Sequence, residues 1–177
     1  MSKTFSQTRK ETAATVEDTA REILADHFDV PASRVVSAES ELSGRYDTSE
    51  LNPVQLLDFA CVDWLIDGRP TIHTVAQRIT PEDGSARMSI RTDNGSNMPC
   101  EADVLGTNGL TPQHYLFGWR DGNILTRAWI LNATKTYETM KESPHTDEIA
   151  NDDGTAAMYL DIAELAQAGC IVEGFEL

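Results

Sequence analysis

The stretch DFACVDWLIDGRPTIHTVAQRITPEDGSARMSIRT, residues 58–92, decides the fold. Val62–Ile66 reads as a strand, Asp67-Gly68-Arg69-Pro70 is a cluster of turn formers, and Thr71–Ile79 reads as a second strand. Another turn at Pro81–Gly84 leads to a third strand, Arg87–Thr92. Strands joined by such short connections pair antiparallel, so a three-stranded meander is predicted.

Downstream, a polar excursion at Asp93–Thr111 precedes a second hairpin: His114–Arg120, the turn Asp121-Gly122-Asn123, and Ile124–Leu131. Tyr115, Phe117 and Trp119 alternate on one arm and Ile124, Trp129 and Leu131 lie along the other, which predicts a largely buried pair. Ala133–Glu142 suits either a helix or a long connection, and Ser143–Thr155 reads as an acidic connection. The chain then predicts a strand at Ala157–Leu160, a helix at Asp161–Ala168 stopped by Gly169, and a strand at Cys170–Glu173. Upstream, Ala13, Val16, Ala20, Ile23, Leu24 and Phe28 are spaced by 3 or 4 and define an amphipathic helix over Thr8–Phe28. A polar connector, Ala32–Asn52, leads to a short helix over Pro53–Phe59, with proline at its first position. The expected class is α/β (α+β): one domain over 1–177, with a helix in 1–30, a connector in 31–52, and in 53–177 a mixed central sheet that opens with an antiparallel meander and is flanked by helices.

Composition narrows the function classes. The 177 residues carry a net charge of −15, from 29 acidic and 14 basic side chains. Only four of the basic residues are Lys, against ten Arg, while Thr and Ala occur 18 times each. This resembles the composition of a halophile's protein, for at molar salt the Debye length is about 3 Å, so repulsion among surface carboxylates is screened and acidity maintains solubility; an acidic binder of cationic partners is the competing reading. No run of about 18 apolar residues occurs, and the opening MSKTFSQTRKETAATVE lacks the apolar core of an export signal. A cytoplasmic protein with no membrane partner is therefore expected. Cys61, Cys100 and Cys170 form no C-x-x-C pair, and His27, His73, His114 and His145 no H-x-x-x-H, so no zinc site is indicated. Gly-rich phosphate loops, G-x-S-x-G elbows and H-E-x-x-H helices are also missing from the sequence.

The chemistry-bearing residues are concentrated in the opening stretch. A helix ends at Asp58, Ala60-Cys61-Val62-Asp63 opens a strand, a hairpin leads to Val75-Ala76-Gln77-Arg78-Ile79, and the following strand carries Ile90-Arg91. In this the chain resembles a set of proteins of phages, plasmids and archaeal viruses that are themselves similar to divergent members of the PD-(D/E)XK nuclease superfamily. The resemblance covers Asp58–Arg91 and extends more weakly through Tyr115–Leu131 and Met158–Val172. It implies a restriction-endonuclease-like core, a nucleic-acid partner, and Mg²⁺ or Mn²⁺ as cofactor. An oxygen-liganded Mg²⁺ activates water and stabilises the leaving oxygen of a phosphodiester.

Carried over residue by residue, Asp63 takes the strand-edge metal position, with Asp58 or Glu50 as further ligands; Asp67 and Glu41 are weaker choices. The acid-x-Lys motif of the next strand is replaced by Ala76-Gln77-Arg78, where Gln77 is the one oxygen donor. Arg78 can hold phosphate but stays protonated and does not serve as a base. The catalytic set implied is thus Asp63, Gln77 and Arg78, in degenerate form. A structural reading competes with it: an Asp63–Arg78 salt bridge between neighbouring strands, within a non-enzymatic interaction or assembly protein.

Charge by segment adds an argument. Residues 69–91 carry +2, residues 11–68 and 92–177 carry −10 each, and residues 1–10 carry +3. Arg69, Arg78, Arg87 and Arg91 therefore form a basic island where a phosphate backbone would be met. Trp64, Tyr115, Phe117, Trp119 and Trp129 have the spacing of base-stacking platforms, but alternation on strands favours core packing.

Overall fold

In the computed structural model, residues 5–38, 62–82, 86–93, 100–105, 112–150 and 154–177 are described. Helix α1 (Phe5–His27) comes first. Val16, Ala20, Ile23 and Leu24 are buried along one of its faces, at the 3.6-residue period that their spacing encodes. A 3₁₀ turn (Ala32–Arg34) leads to β1 (Val35–Ser37). The expected helix at Pro53–Phe59, most of the Ala32–Asn52 connector, and with them Glu41, Glu50 and Asp58, lie outside the described residues.

Strands β2 (Trp64–Asp67) and β3 (Ile72–Pro81) pair antiparallel, with Trp64 opposite Val75. Next come β4 (Arg87–Asp93), a short helix α2 (Glu101–Leu105), and the hairpin β5 (His114–Asp121) and β6 (Ile124–Asn132). The chain continues through α3 (Ala133–Glu142), β7 (Asp147–Ala150), β8 (Ala156–Asp161), α4 (Ile162–Gln167) and β9 (Ile171–Glu176). Six strands form a mixed sheet in the order β1-β2-β3-β5-β6-β9, and three form a second, antiparallel sheet in the order β4-β8-β7. The only parallel pairing described is β3 with β5, which places Arg78 beside Phe117.

The mixed α+β class and the two hairpins agree with the sequence reading. The three-stranded meander does not: β4 leaves β3 and pairs with β8, with Ile90 opposite Met158. The reason lies in what each strand can bury. β3 has Thr74, Val75 and Ala76 buried in succession, and β5 has Tyr115, Leu116, Phe117 and Gly118 buried in succession, so both suit a sheet covered on its two faces. In β4 only Met88 and Ile90 are buried, alternating with Arg87, Ser89 and Arg91, which suits a sheet covered on one face. The acidic connection also needs correction, since Asp147–Ala150 is a strand, exposed along its length.

Two cores flank the six-stranded sheet. On one face α1 packs over Trp64, Ile66, Val75, Leu116 and Ile130. On the other, Ala76, Tyr115, Phe117 and Leu131 meet Met88, Ile90 and Leu160 of the small sheet together with Met140 of α3 and Leu165 of α4. Gly118 sits in a close approach: a Cβ there would stand 2.8 Å from Leu125 Cδ1, 2.9 Å from Ile79 Cδ1 and 3.0 Å from the Arg127 carbonyl oxygen, so any larger residue displaces its neighbours. α3 begins at Asn132, whose side-chain oxygen accepts from the Lys135 N–H at 2.9 Å. Asn132→Ala is expected to lower stability by about 1 kcal/mol, the usual loss for an N-cap, measured by urea unfolding in high KCl.

Candidate functional site

The residues singled out by the sequence divide between the two faces of β3. Arg78 lies with Ala76 on the face that carries Tyr115 and Phe117; Gln77 lies with Val75 on the face covered by α1. The Gln77 side-chain oxygen accepts a hydrogen bond from the Trp64 indole N–H at 2.8 Å. That oxygen is thereby committed to a buried tryptophan. Its backbone N–H donates to Asp63 Oδ2 at 2.6 Å, so the Asp63 carboxylate is tied to the edge of β3 by the main chain.

Arg78 meets a partner that the motif does not contain. Its Nη2 stands 2.7 Å from Oε1 of Glu101, its Nη1 is 3.8 Å from Asp63 Oδ2, and Nη1 also donates to the Gln77 carbonyl at 2.7 Å. The Glu101 side chain is 1% exposed and that of Arg78 28%, whereas Asp63 is 48% exposed. Glu101 Oε1 further accepts from the Tyr115 hydroxyl at 2.5 Å, and Oε2 from the Arg91 backbone N–H at 3.1 Å. A buried carboxylate is tolerated only when its lone pairs are filled in this way. Burial opposes the charge on Arg78, but the attraction and hydrogen bond of Glu101, with Tyr115 and Asp63 behind it, outweigh that and hold its pKa above the usual arginine value.

A guanidinium therefore stands between two carboxylates, Asp63 and Glu101, where the motif would want a divalent cation. Among the described residues no group of three or more His, Cys, Asp or Glu side chains is placed to hold a metal ion. The described part of the site thus does not fit Mg²⁺: Gln77 is turned onto Trp64, and the charge between the carboxylates is already supplied by Arg78. Asp58 and Glu50 lie outside the described residues.

The basic island does not assemble as one free surface. Arg69, in the β2–β3 turn, pairs with Asp67 at 2.9 Å, which holds the Asp67 carboxyl below its usual range. Arg87 is on the second sheet, paired with Asp147 of β7 and placed over the Tyr159 ring. Arg91, exposed on the same strand, contributes its backbone N–H to Glu101. Arg69, Arg78 and Arg87 thus each have a carboxylate partner, Asp67 two residues away and Glu101 and Asp147 distant in the chain. Nor are the aromatics open platforms: Trp64, Tyr115 and Phe117 are buried, and Trp119 and Trp129 meet each other edge-on at 5.2 Å and pack, partly buried, against the core.

Glu101 is the residue sequence reasoning missed. Its one signal is indirect: a strand arginine among buried neighbours requires a carboxylate, and the excursion holds Glu101 and Asp103 beside Cys100. Spacing does not select it. Comparison of the chain with protein-family models, with curated proteins and with solved structures gives no match in any of the three. No helix among the described residues is long and apolar enough to cross a membrane.

Proposed function

We propose that this chain is a non-catalytic interaction or assembly protein of a halophilic archaeal virus or plasmid, in which the residues matching the nuclease motif maintain the fold. The observation that supports this is the placement of Arg78 between Asp63 and Glu101, with Tyr115 completing the buried carboxylate's hydrogen bonds. An ion pair so satisfied fixes the position of α2 against β3 and β5; the same atoms engaged inside the protein are withdrawn from water activation. The acidic, Lys-poor composition supports the halophilic origin. The helix α1, the β2–β3 hairpin and the parallel β3–β5 step are compatible with a restriction-endonuclease-like core, from which β4 departs by joining the second sheet.

A second reading, a divergent Mg²⁺-dependent nuclease acting on nucleic acid, is favoured by one feature, the half-exposed Asp63 carboxylate at the entrance to β2. One experiment separates the two. Cleavage of plasmid and branched DNA is measured in high KCl with Mg²⁺ or Mn²⁺, for the wild type and Asp63→Ala. The expected result is no cleavage by either protein. Metal-dependent cleavage by the wild type that disappears in Asp63→Ala would establish the nuclease reading instead.

A further inference from the structure

Three of the four histidines meet at the C-terminal end of α1. His27 is the last residue of α1, His73 lies on β3 on the same face as Val75, and His114 opens β5 on the same face as Leu116. Phe28 sits among them, its ring centroid 4.6 Å from His27, 4.6 Å from His73 and 5.3 Å from His114. His114 is 6.1 Å from His27 and 6.3 Å from His73. Glu173 of β9 closes the group from the far strand, with Oε2 2.5 Å from His27 Nδ1. The Nδ1 atom of His114 is buried with no hydrogen-bond partner among the described residues.

The geometry points to a pH-sensitive latch: protonation of His114 drives the C-terminal turn of α1, with Phe28, off the sheet. Among the described residues, the titratable groups that meet His114 are His27 from α1 and His73 from β3, with Glu173 of β9 beyond them on His27. The only carboxylate among them is already paired with His27, and the residue opposite on β6 is the uncharged Asn132. A positive charge on His114 would be surrounded by two more imidazoles and a phenyl ring, so the closed state disfavours it.

Burial, then the neighbouring His27 and His73, push His114 down to about 4. An imidazole freed by opening titrates near its ordinary value, about 6.5. The open state thus binds the proton first: the latch is closed above pH 7 and loses ground as pH falls from about 6.5 toward 4. Allowing for the partial exposure of His114, the opening equilibrium is expected to rise about tenfold between pH 7 and pH 5.

Amide hydrogen exchange of the full chain, corrected for intrinsic rates, tests this at pH 7 and pH 5. In the wild type, protection over residues 16–27 is expected to fall about tenfold at pH 5, with the β5–β6 hairpin unchanged. In His114→Gln, which cannot acquire charge, that change should disappear; in His73→Gln, where one repelling imidazole is gone, it should shrink. Equal pH dependence in wild type and His114→Gln, or no change in the wild type, would overturn the latch. Should His114→Gln fail to fold, the wild-type ring titration followed by NMR decides. A His114 ring titrating well below 6, with the α1 amides shifting on the same curve, supports the proposal; titration near 6.5 with α1 unmoved refutes it.

Discussion

Replacing Glu101 by alanine is expected to destabilise the protein by about 3 kcal/mol, read as a lower denaturation midpoint in guanidinium chloride with an unchanged slope. The substitution leaves the Arg78 guanidinium without its 2.7 Å partner in a setting only 28% exposed, and removes the acceptor of the Tyr115 hydroxyl and of the Arg91 N–H. Three donors then lose this acceptor at once. Asp63 offers little relief, since it is 3.8 Å from Arg78 and bound to the Gln77 N–H. The double variant Glu101→Met with Arg78→Met should recover much of the loss, because a buried ion pair replaced as a whole by apolar side chains is often near neutral. A double variant no more stable than Glu101→Ala would show that the pair is not the source of the effect. Tyr115→Phe, which removes one donor and no charge, should cost about 1–2 kcal/mol on the same assay.

Phe117→Ala is expected to cost about 3–5 kcal/mol, the largest effect of any single truncation considered. Phe117 is fully buried, pairs across the parallel step with Arg78, and stacks on Trp129 at 5.8 Å between ring centroids. Its loss opens a cavity at the junction of the two sheets, where Met88, Ile90 and Leu160 are held by strands of the second sheet and collapse is restricted. Thermal unfolding should show the same order: Phe117→Ala and Glu101→Ala well below wild type, Asn132→Ala only slightly below. Phe117→Leu, which conserves most of the volume, is expected to restore more than half the loss.

Much of the fold is legible because it is written locally. The spacing of Val16, Ala20, Ile23 and Leu24 places α1, the Gly122 turn places the β5–β6 hairpin, and Asp161 and Gly169 bracket α4. Pairing between distant segments is not written locally. Nothing in Met88-Ser89-Ile90-Arg91 names β8 rather than β3 as its partner; the choice is made by β5, whose buried run claims the flank of β3. The candidate site has the same character. Asp63 and Arg78 are legible as a cross-strand pair, but Glu101 reaches Arg78 only because α2 packs beside β4, an outcome of tertiary assembly. Likewise Asp147, sixty residues from Arg87, is apparent as its partner only once the chain has folded, whereas Asp67 lies in the same turn as Arg69.

The contact between His27 and Glu173 joins residues 146 apart in sequence. It bears on how the chain behaves while it is being made. The buried face of α1 rests on β2, β3, β5, β6 and finally β9, so the helix completes its packing only when β9, more than a hundred residues further along the chain, has been made. At about 5–20 residues per second that interval is on the order of ten seconds. Until then the apolar stripe Val16-Ala20-Ile23-Leu24 has only part of its sheet to rest on, first the β2–β3 hairpin and later β5–β6.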